Sequence, residues 1–388
     1  MLRSLDNVTV QVFPEAGRDF NRRGGQTPPL RMQICADLID RLNSYSASYK
    51  KLLKMEKTTF TYKEIVELLG GADDENLYRE AQNKKEEVYG KEVFLRAIVE
   101  PWNTCIHNCL YCGIRKDNRY LKRFLLNYEE IYEAGIKISD YGITSLVLQA
   151  GEDLNREKIN LITKVVEAFK KDTNADITLS FGEHTIDTYK MWKDAGSDRY
   201  LLKMETLQEN IYNLARPNCN FRNRIKCIED LLNLGYQVGS GFIAGMPGYT
   251  IEMLAKDMLS LKDMGIHMFS LSPFINSKNT PWENFPRPDA DLVHRACAIY
   301  RLLDPKVNIP VTSAMESLQP GSKKAGLLRG CNVLMHSLTP KSVREFYRIY
   351  DGKNVIGDEE YNQIKKIKEM VSDIGLYIKD GERGRSKK

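Results

Sequence analysis

From Val93 onward, short apolar runs alternate with longer stretches in which apolar residues recur every three or four positions. The short runs are Val93–Val99, Ser145–Leu148, Asp176–Phe181, Arg199–Met204, Gln237–Ile243, His267–Leu271, Ile309–Thr312 and Asn332–Met335. Their length and β-branched content predict buried strands. The segments Lys158–Lys171, Ile186–Ala195, Arg222–Leu234, Thr250–Met264 and Asp289–Leu303 carry the helical period. Connections this long suit helical crossovers between parallel strands. Eight such units predict an α/β fold, a (β/α)8 TIM-type barrel over residues 92–340.

Ahead of the barrel, residues 46–91 are expected to form a helical segment. Thr61 is a plausible N-cap for the run to Leu69, Gly70-Gly71 breaks it, and a charged helix follows over Glu75–Tyr89. Residues 1–45, with Gly24-Gly25 and Pro28-Pro29, are read as an irregular extension. Residues 341–388 form a closing segment, and the basic tail Glu382–Lys388 is read as a frayed end.

Composition narrows the function classes. Hydrophobic residues make up 42% of the chain and charged residues 28%, as in a globular protein. Net charge is +5 with no concentrated basic stripe, which argues against nucleic acid as a partner. The longest apolar runs, such as Ser145–Ala150, are too short to span a membrane. No apolar segment follows Met1-Leu-Arg-Ser, so the cytoplasm is expected, with an anaerobic organelle as the alternative. Cys35, Cys219, Cys227, Cys297 and Cys331 are scattered and suggest a reducing compartment. A second metal pair at Cys219 and Cys227 is less expected than two small core residues.

The chemistry concentrates in Thr104-Cys-Ile-His-Asn-Cys-Leu-Tyr-Cys-Gly113. Cys105, Cys109 and Cys112 have the spacing C-x3-C-x2-C, which offers three thiolates to a [4Fe–4S] cube that ordinarily takes four. One iron is then left for another ligand. A structural zinc loop would want four ligands, and His107 is poorly placed to complete a tetrahedron.

Further polar motifs fall at predicted strand ends, where such barrels build active sites. Gln149-Ala-Gly-Glu-Asp153 sets Gly151, Glu152 and Asp153 after the second strand, suited to close approach and to an ammonium group. Ser180 ends the third strand. Lys203 and Glu205 share a face of the fourth by strand alternation, and either a ligand anion or a mutual ion pair would explain Lys203. Arg222 and Arg224 fall on different helix faces, so at most one points inward. Gly245 and Met246 follow the fifth strand, and Thr312 and Ser313 end the seventh. Tyr347 and Tyr350 lie beyond the barrel and could close it. No P-loop, dinucleotide fingerprint or Ser-His-Asp arrangement is present.

The cysteine run matches the signature of the radical S-adenosylmethionine (SAM) superfamily. From about residue 50 to 355 the chain resembles the [FeFe]-hydrogenase maturase HydE family, which sits near biotin synthase and methylornithine synthase. The resemblance rests on residues 105–118, on Val147–Asp153, Trp192–Leu202, Gly245–Gly248, Ser272–Ile275 and Ile309–Met315. It implies that SAM occupies the open iron and is reductively cleaved to a 5′-deoxyadenosyl radical. It implies SAM contacts at Tyr111, Gly151, Glu152, Asp153, Ser180, Glu205, Arg224, Gly245 and Met246. Lys203, Met268, Thr312, Ser313, Tyr347 and Tyr350 align with the inner substrate cavity. The implied task is a step in building the diiron centre of the hydrogenase, acting on a small or organometallic substrate. Implied partners are an electron donor such as ferredoxin or flavodoxin and other maturases. An amino-acid mutase of the methylornithine synthase type and a cluster carrier without SAM turnover are the alternatives. Two departures stand out: Lys203-Met204-Glu205-Thr206 replaces the family's Arg-His-Glu-Thr, and no cysteine follows Cys331.

Overall fold

A computed structural model describes residues 60–353 and 360–388. The extension expected over residues 1–45, the start of the helical segment at 46–59 and Cys35 lie outside the described residues. Five parallel strands run side by side: β1 (Glu92–Val99), β2 (Ser145–Gln149), β3 (Asp176–Ser180), β4 (Arg199–Leu201) and β5 (Gln237–Ser240). The strand Met268–Phe269 pairs with β5, and Val333–Ser337 pairs with the other side of β1. Parallel bridges Met268–Asn308 and Pro310–Val333 carry the ring across the gap between them. The eight predicted staves therefore close on themselves, the topology that leaves no exposed sheet edge.

Alternation along β1 shows how one strand serves two cores. Val93, Leu95, Ala97 and Val99 join the hydrophobic core outside the ring. The intervening residues descend the inside. Phe94 meets Gly384 near the floor, Arg96 lines a small floor cavity, Ile98 lines the large cavity, and Glu100 reaches Lys353 near the mouth. Period-two alternation thus maps sequence position onto depth in the barrel.

The crossover helices begin where short polar side chains cap them. Asn155, Thr185, Asn220, Thr250 and Asp289 each accept a backbone N–H at the head of Arg156–Asp172, Ile186–Asp194, Phe221–Asn233, Ile251–Asp263 and Ala290–Leu303. Each cap contributes about 1 kcal/mol. Thr61 and Glu64 form a capping box on Tyr62–Leu69, and Asp74–Tyr89 follows after the glycine break.

The structure shortens four predicted strands: His267–Leu271 to Met268–Phe269, Ile309–Thr312 to isolated bridges at Asn308 and Pro310, and two more. β4 stops at Leu201, and pairing with the neighbouring segment resumes only at Glu205, which bridges Phe242 in a left-handed conformation with φ 68°. β5 stops at Ser240, because Gly241 breaks the extended chain before it resumes at Ile243–Ala244. The expectation of a frayed tail is also overturned. Arg385 pairs with Asp176, Lys388 with Asp304, Gly384 O accepts from Arg96 and Asn308, and Ser386 Oγ donates to Lys306 O at 2.8 Å. The tail covers the barrel floor because acidic groups and backbone carbonyls there match its cations.

Candidate active site

The loop after β1 is built by anchoring rather than by its own secondary structure. Buried Trp102 donates from Nε1 to Gly151 O at 2.8 Å and stacks on Phe181. Ile106 N donates to Glu152 O (3.0 Å), Leu110 N to Ala215 O (2.8 Å) and Gly113 N to Ile349 O (3.0 Å). Three distant segments thereby fix the three-cysteine loop. The packing leaves no room for a side chain at Gly151, where a Cβ would lie 2.1 Å from Thr104 O.

Cys105, Cys109 and Cys112 line one cavity of about 460 Å³ at the barrel mouth. Among the described residues, no three His, Cys, Asp or Glu side chains gather as ligands of a single ion. Their protonation is uneven. Burial pushes the Cys105 thiol up to about 11 and raises Cys112 further. Cys109 is lowered instead, by the neighbouring Cys219 thiol and with help from the Arg216 charge, against burial.

Opposite the thiols stand charged groups. Glu152 Oε1 lies 2.7 Å from His107 Nε2. Burial raises the Glu152 pKa, but the His107 hydrogen bond and the Arg224 charge outweigh it and leave the carboxyl below its usual value. Buried Arg224 pairs with Glu183 at 2.8 Å, while Arg222 on the next face is exposed. Lys203 Nζ lies 3.4 Å from Glu205 Oε2 and donates to Ser272 Oγ at 3.3 Å. The ion pair of Lys203 and Glu205, the alternative to a ligand anion at Lys203, is formed, and both residues line the cavity.

Deeper in, Ser313 Oγ and Tyr350 OH are 2.7 Å apart, and Gln149 Nε2 donates to Tyr347 OH at 3.2 Å. Burial raises the pKa of both tyrosines, which keeps them neutral donors. Thr312 and Ser180 also line the space.

The predicted residues divide. Tyr111, Gly151, Glu152, Ser180, Lys203, Glu205, Arg224, Thr312, Ser313, Tyr347 and Tyr350 meet around the cavity with the cysteines. Asp153, Gly245, Met246 and Met268 do not line it. Asp153 pairs with Lys158 at 2.5 Å. Gly245 packs on Pro288, where a Cβ would lie 2.4 Å away, Met246 joins the hydrophobic core, and Met268 lies on the floor beside Arg96. Among the charged lining residues, sequence reading passed over Lys323, Arg344 and Lys353 and weighed His107 only as a zinc ligand. His107 was legible from its place between two cysteines, whereas Lys353 carries no local motif. Lys353 is seated by Glu100 at 3.1 Å.

Comparison with known proteins finds relatives along most of the chain. Residues 99–261 match the family model described as the Radical SAM superfamily. The chain is 37% identical over 327 residues to the [FeFe] hydrogenase maturase subunit HydE of Thermotoga maritima, covering 84% of this chain and 93% of that protein. It is 25% identical to biotin synthase of Clostridioides difficile, covering 75% of this chain and 91% of that one. Among solved structures, methylornithine synthase superposes with a TM-score of 0.73 at 24% identity, over 85% of this chain and 96% of that chain. The maturase HydG of Carboxydothermus hydrogenoformans superposes with a TM-score of 0.69 at 20% identity, over 89% of this chain and 82% of that chain. These structural likenesses bear on the fold.

Proposed function

This chain belongs to the radical SAM superfamily and, within it, to the HydE family, and from that premise we propose that it acts in assembly of the diiron cofactor of [FeFe]-hydrogenase. A [4Fe–4S] cluster and SAM together supply one-electron reductive cleavage to a 5′-deoxyadenosyl radical. The observation that carries the reading is the meeting of Cys105, Cys109 and Cys112 with Glu152, Glu205 and Arg224 around one closed-ended cavity.

The donor set fits both groups. Three thiols on one short loop suit a cube, in which each thiolate binds its own iron, and they need not converge on one ion. Burial holds Cys105 and Cys112 protonated, so their ionisation is coupled to metal uptake. For SAM, the Glu152 and Glu205 carboxylates suit ammonium and ribose hydroxyls, and the Arg224 guanidinium suits a carboxylate. Lys203, Thr312, Ser313, Tyr347 and Tyr350 line the same cavity, and we assign them to the substrate. A lysine there suits a small anionic or metal-bound ligand as a point charge rather than a planar fork.

A closed ring and a covered floor leave the mouth as the route in, which suits chemistry that must exclude water. The external reductant is a ferredoxin- or flavodoxin-type protein, and the setting is an anoxic cytoplasm. The described residues contain no helix long and apolar enough to cross a membrane.

The test is anaerobic reconstitution with iron and sulfide, dithionite reduction, and chromatography for 5′-deoxyadenosine after SAM is added. The product should depend on Cys105, Cys109 and Cys112, and a cysteine-bound iron carbonyl–cyanide precursor should accelerate its formation. A reducible cluster that leaves SAM intact even with that precursor would overturn the proposal.

A further inference from the structure

Between β1 and the helix Tyr128–Ile136 the chain makes one excursion. Its neck is closed by the antiparallel bridge Trp102–Leu125 and by Leu126 N donating to Pro101 O at 2.8 Å. The three cysteines occupy its first half. Its second half, Arg115–Arg123, holds five cations and one acid in nine residues, a local concentration that the modest overall charge conceals.

The two halves are stitched together. Lys116 N donates to His107 O at 2.8 Å, Asp117 N to Asn108 Oδ1 at 3.0 Å, and Asn108 Nδ2 to Asp117 Oδ2 at 2.9 Å. Arg123 sits among them, with Nη1 donating to Asn103 O and Ile114 O and Nη2 to Arg115 O and Asn118 O. Its guanidinium is turned inward, and it fixes the basic half against the cysteine half.

The outside of the excursion is positive and partly apolar. Lys116, Arg119 and Lys122 are exposed, and none pairs with a carboxylate among the described residues. Tyr120 is 84% exposed, and Ile106, the neighbour of Cys105, is 41% exposed. None of these five side chains lines the cavity, so they form a face of their own. Tyrosine and arginine are favoured at protein interfaces, and unpaired cations speed encounter with an acidic partner. A partner resting on Ile106 comes within one residue of a thiol assigned to the cluster, a short path for an electron.

Resting on the cluster reading above, we propose that Lys116, Arg119, Lys122, Tyr120 and Ile106 form the docking surface for an acidic one-electron carrier protein that reduces the cluster. One electron leaves the reduced carrier, which is oxidised, and enters the cluster, which is reduced; no bond is made or broken. Redox encounters of this kind use small interfaces, and charge complementarity sets their rate and orientation.

The experiment uses the reconstituted full chain and an acidic ferredoxin kept reduced by NADPH and a ferredoxin reductase. The combined variant Lys116→Glu, Arg119→Glu, Lys122→Glu should keep wild-type iron content and wild-type 5′-deoxyadenosine formation with dithionite. Its reduction by ferredoxin should be about tenfold or more slower. Its equilibrium binding of oxidised ferredoxin, followed by thermophoresis, should weaken by a similar factor. Raising the ionic strength from about 0.05 to 0.2 M should slow the wild type and leave the variant nearly unchanged. Lys63→Glu, Lys84→Glu, Lys365→Glu, an equal charge change on three other helices, should leave binding and reduction close to wild type. Wild-type binding and reduction in the loop variant would overturn the proposal. So would an equal loss in the control variant, or a wild-type chain that ferredoxin neither binds nor reduces. An oligonucleotide that binds this loop where ferredoxin does not would assign the surface to nucleic acid and overturn it likewise. If dithionite, SAM and the precursor yield no 5′-deoxyadenosine in the wild type, the functional reading itself falls. If they yield it and ferredoxin is indifferent to the loop, this proposal alone falls.

Discussion

Arg385 grips Asp176 with two nitrogens, Nε at 2.7 Å from Oδ2 and Nη2 at 2.7 Å from Oδ1, across 209 positions of sequence. The same carboxylate accepts from Arg199 Nη2 at 2.8 Å. One buried acid therefore joins the floor of the ring to the C-terminal tail.

Asp176→Asn should cost about 3–5 kcal/mol, because it leaves buried Arg199 without a counter-charge. Arg385→Ala should cost about 1 kcal/mol or less, since that side chain is 48% exposed. The acid side of the stability curve adds a check. Burial raises the Asp176 pKa, but Arg385, Arg199 and Arg383 outweigh it and hold the carboxyl below its usual value. Its contribution is therefore full above the unfolded value of about 3.9 and is lost as pH falls through the lower folded value. Denaturant titrations between about pH 2 and 6 should show that loss in the wild type and not in the asparagine variant.

Lys85 presents the opposite case. It is fully buried in the helix Asp74–Tyr89, and its Nζ has no hydrogen-bond partner. Burial pulls its pKa down to about 8. Lys85→Met should stabilise the fold by about 1–3 kcal/mol at pH 7. The unfolded lysine titrates near 10.4, so the folded state binds fewer protons between about 8 and 10 and wild-type stability rises over that window. The methionine variant should lack the rise. A variant less stable than wild type at pH 7 would mean that Lys85 has a partner the helix packing provides.

The staves of the ring were legible because both of their faces are buried, which leaves largely apolar runs such as Val93–Val99, broken only by Arg96, and Leu146–Leu148. Where the chain bends for local reasons, the runs misled. Lys203–Glu205 looks like more strand, but the ladder breaks after Leu201 and rejoins the neighbouring segment only through the left-handed Glu205, which bridges Phe242. The short helices Glu209–Ala215 and Ser313–Leu318 have too few turns to show a period. The cysteine loop and Glu152 were legible from spacing. The places of Lys353 and the tail were not, because each depends on partners such as Glu100 and Asp176 that only the fold brings near.

Gly151 tests how the site is held together. A Cβ there would lie 2.1 Å from Thr104 O and 2.7 Å from Cys105 Cβ, against backbone that cannot yield. Gly151→Ala should push the cysteine loop off its seat and lower the reconstituted iron content several-fold. Circular dichroism should remain close to wild type, because the clash lies outside the ring. Full iron loading in that variant would show that the loop can shift without losing its ligands.

Glu205 separates strain from binding. Its φ of 68° costs a residue with a side chain about 1 kcal/mol, and its N and O are both committed, to Gly241 O and Ile243 N at 3.0 Å each. Those bonds hold the unfavourable conformation in place, as is common at functional positions. Glu205→Gly removes the carboxylate and the strain together, whereas Glu205→Ala removes only the carboxylate. The glycine variant should therefore be at least as stable as the alanine variant, by up to about 1 kcal/mol. Both should bind SAM about tenfold or more weakly, a loss of about 1.4 kcal/mol, while keeping wild-type iron content. Equilibrium binding of SAM to the reconstituted proteins, read beside their denaturation curves, gives the answer. If SAM affinity is unchanged, or falls only in step with iron, Glu205 shapes the turn and binds no ligand.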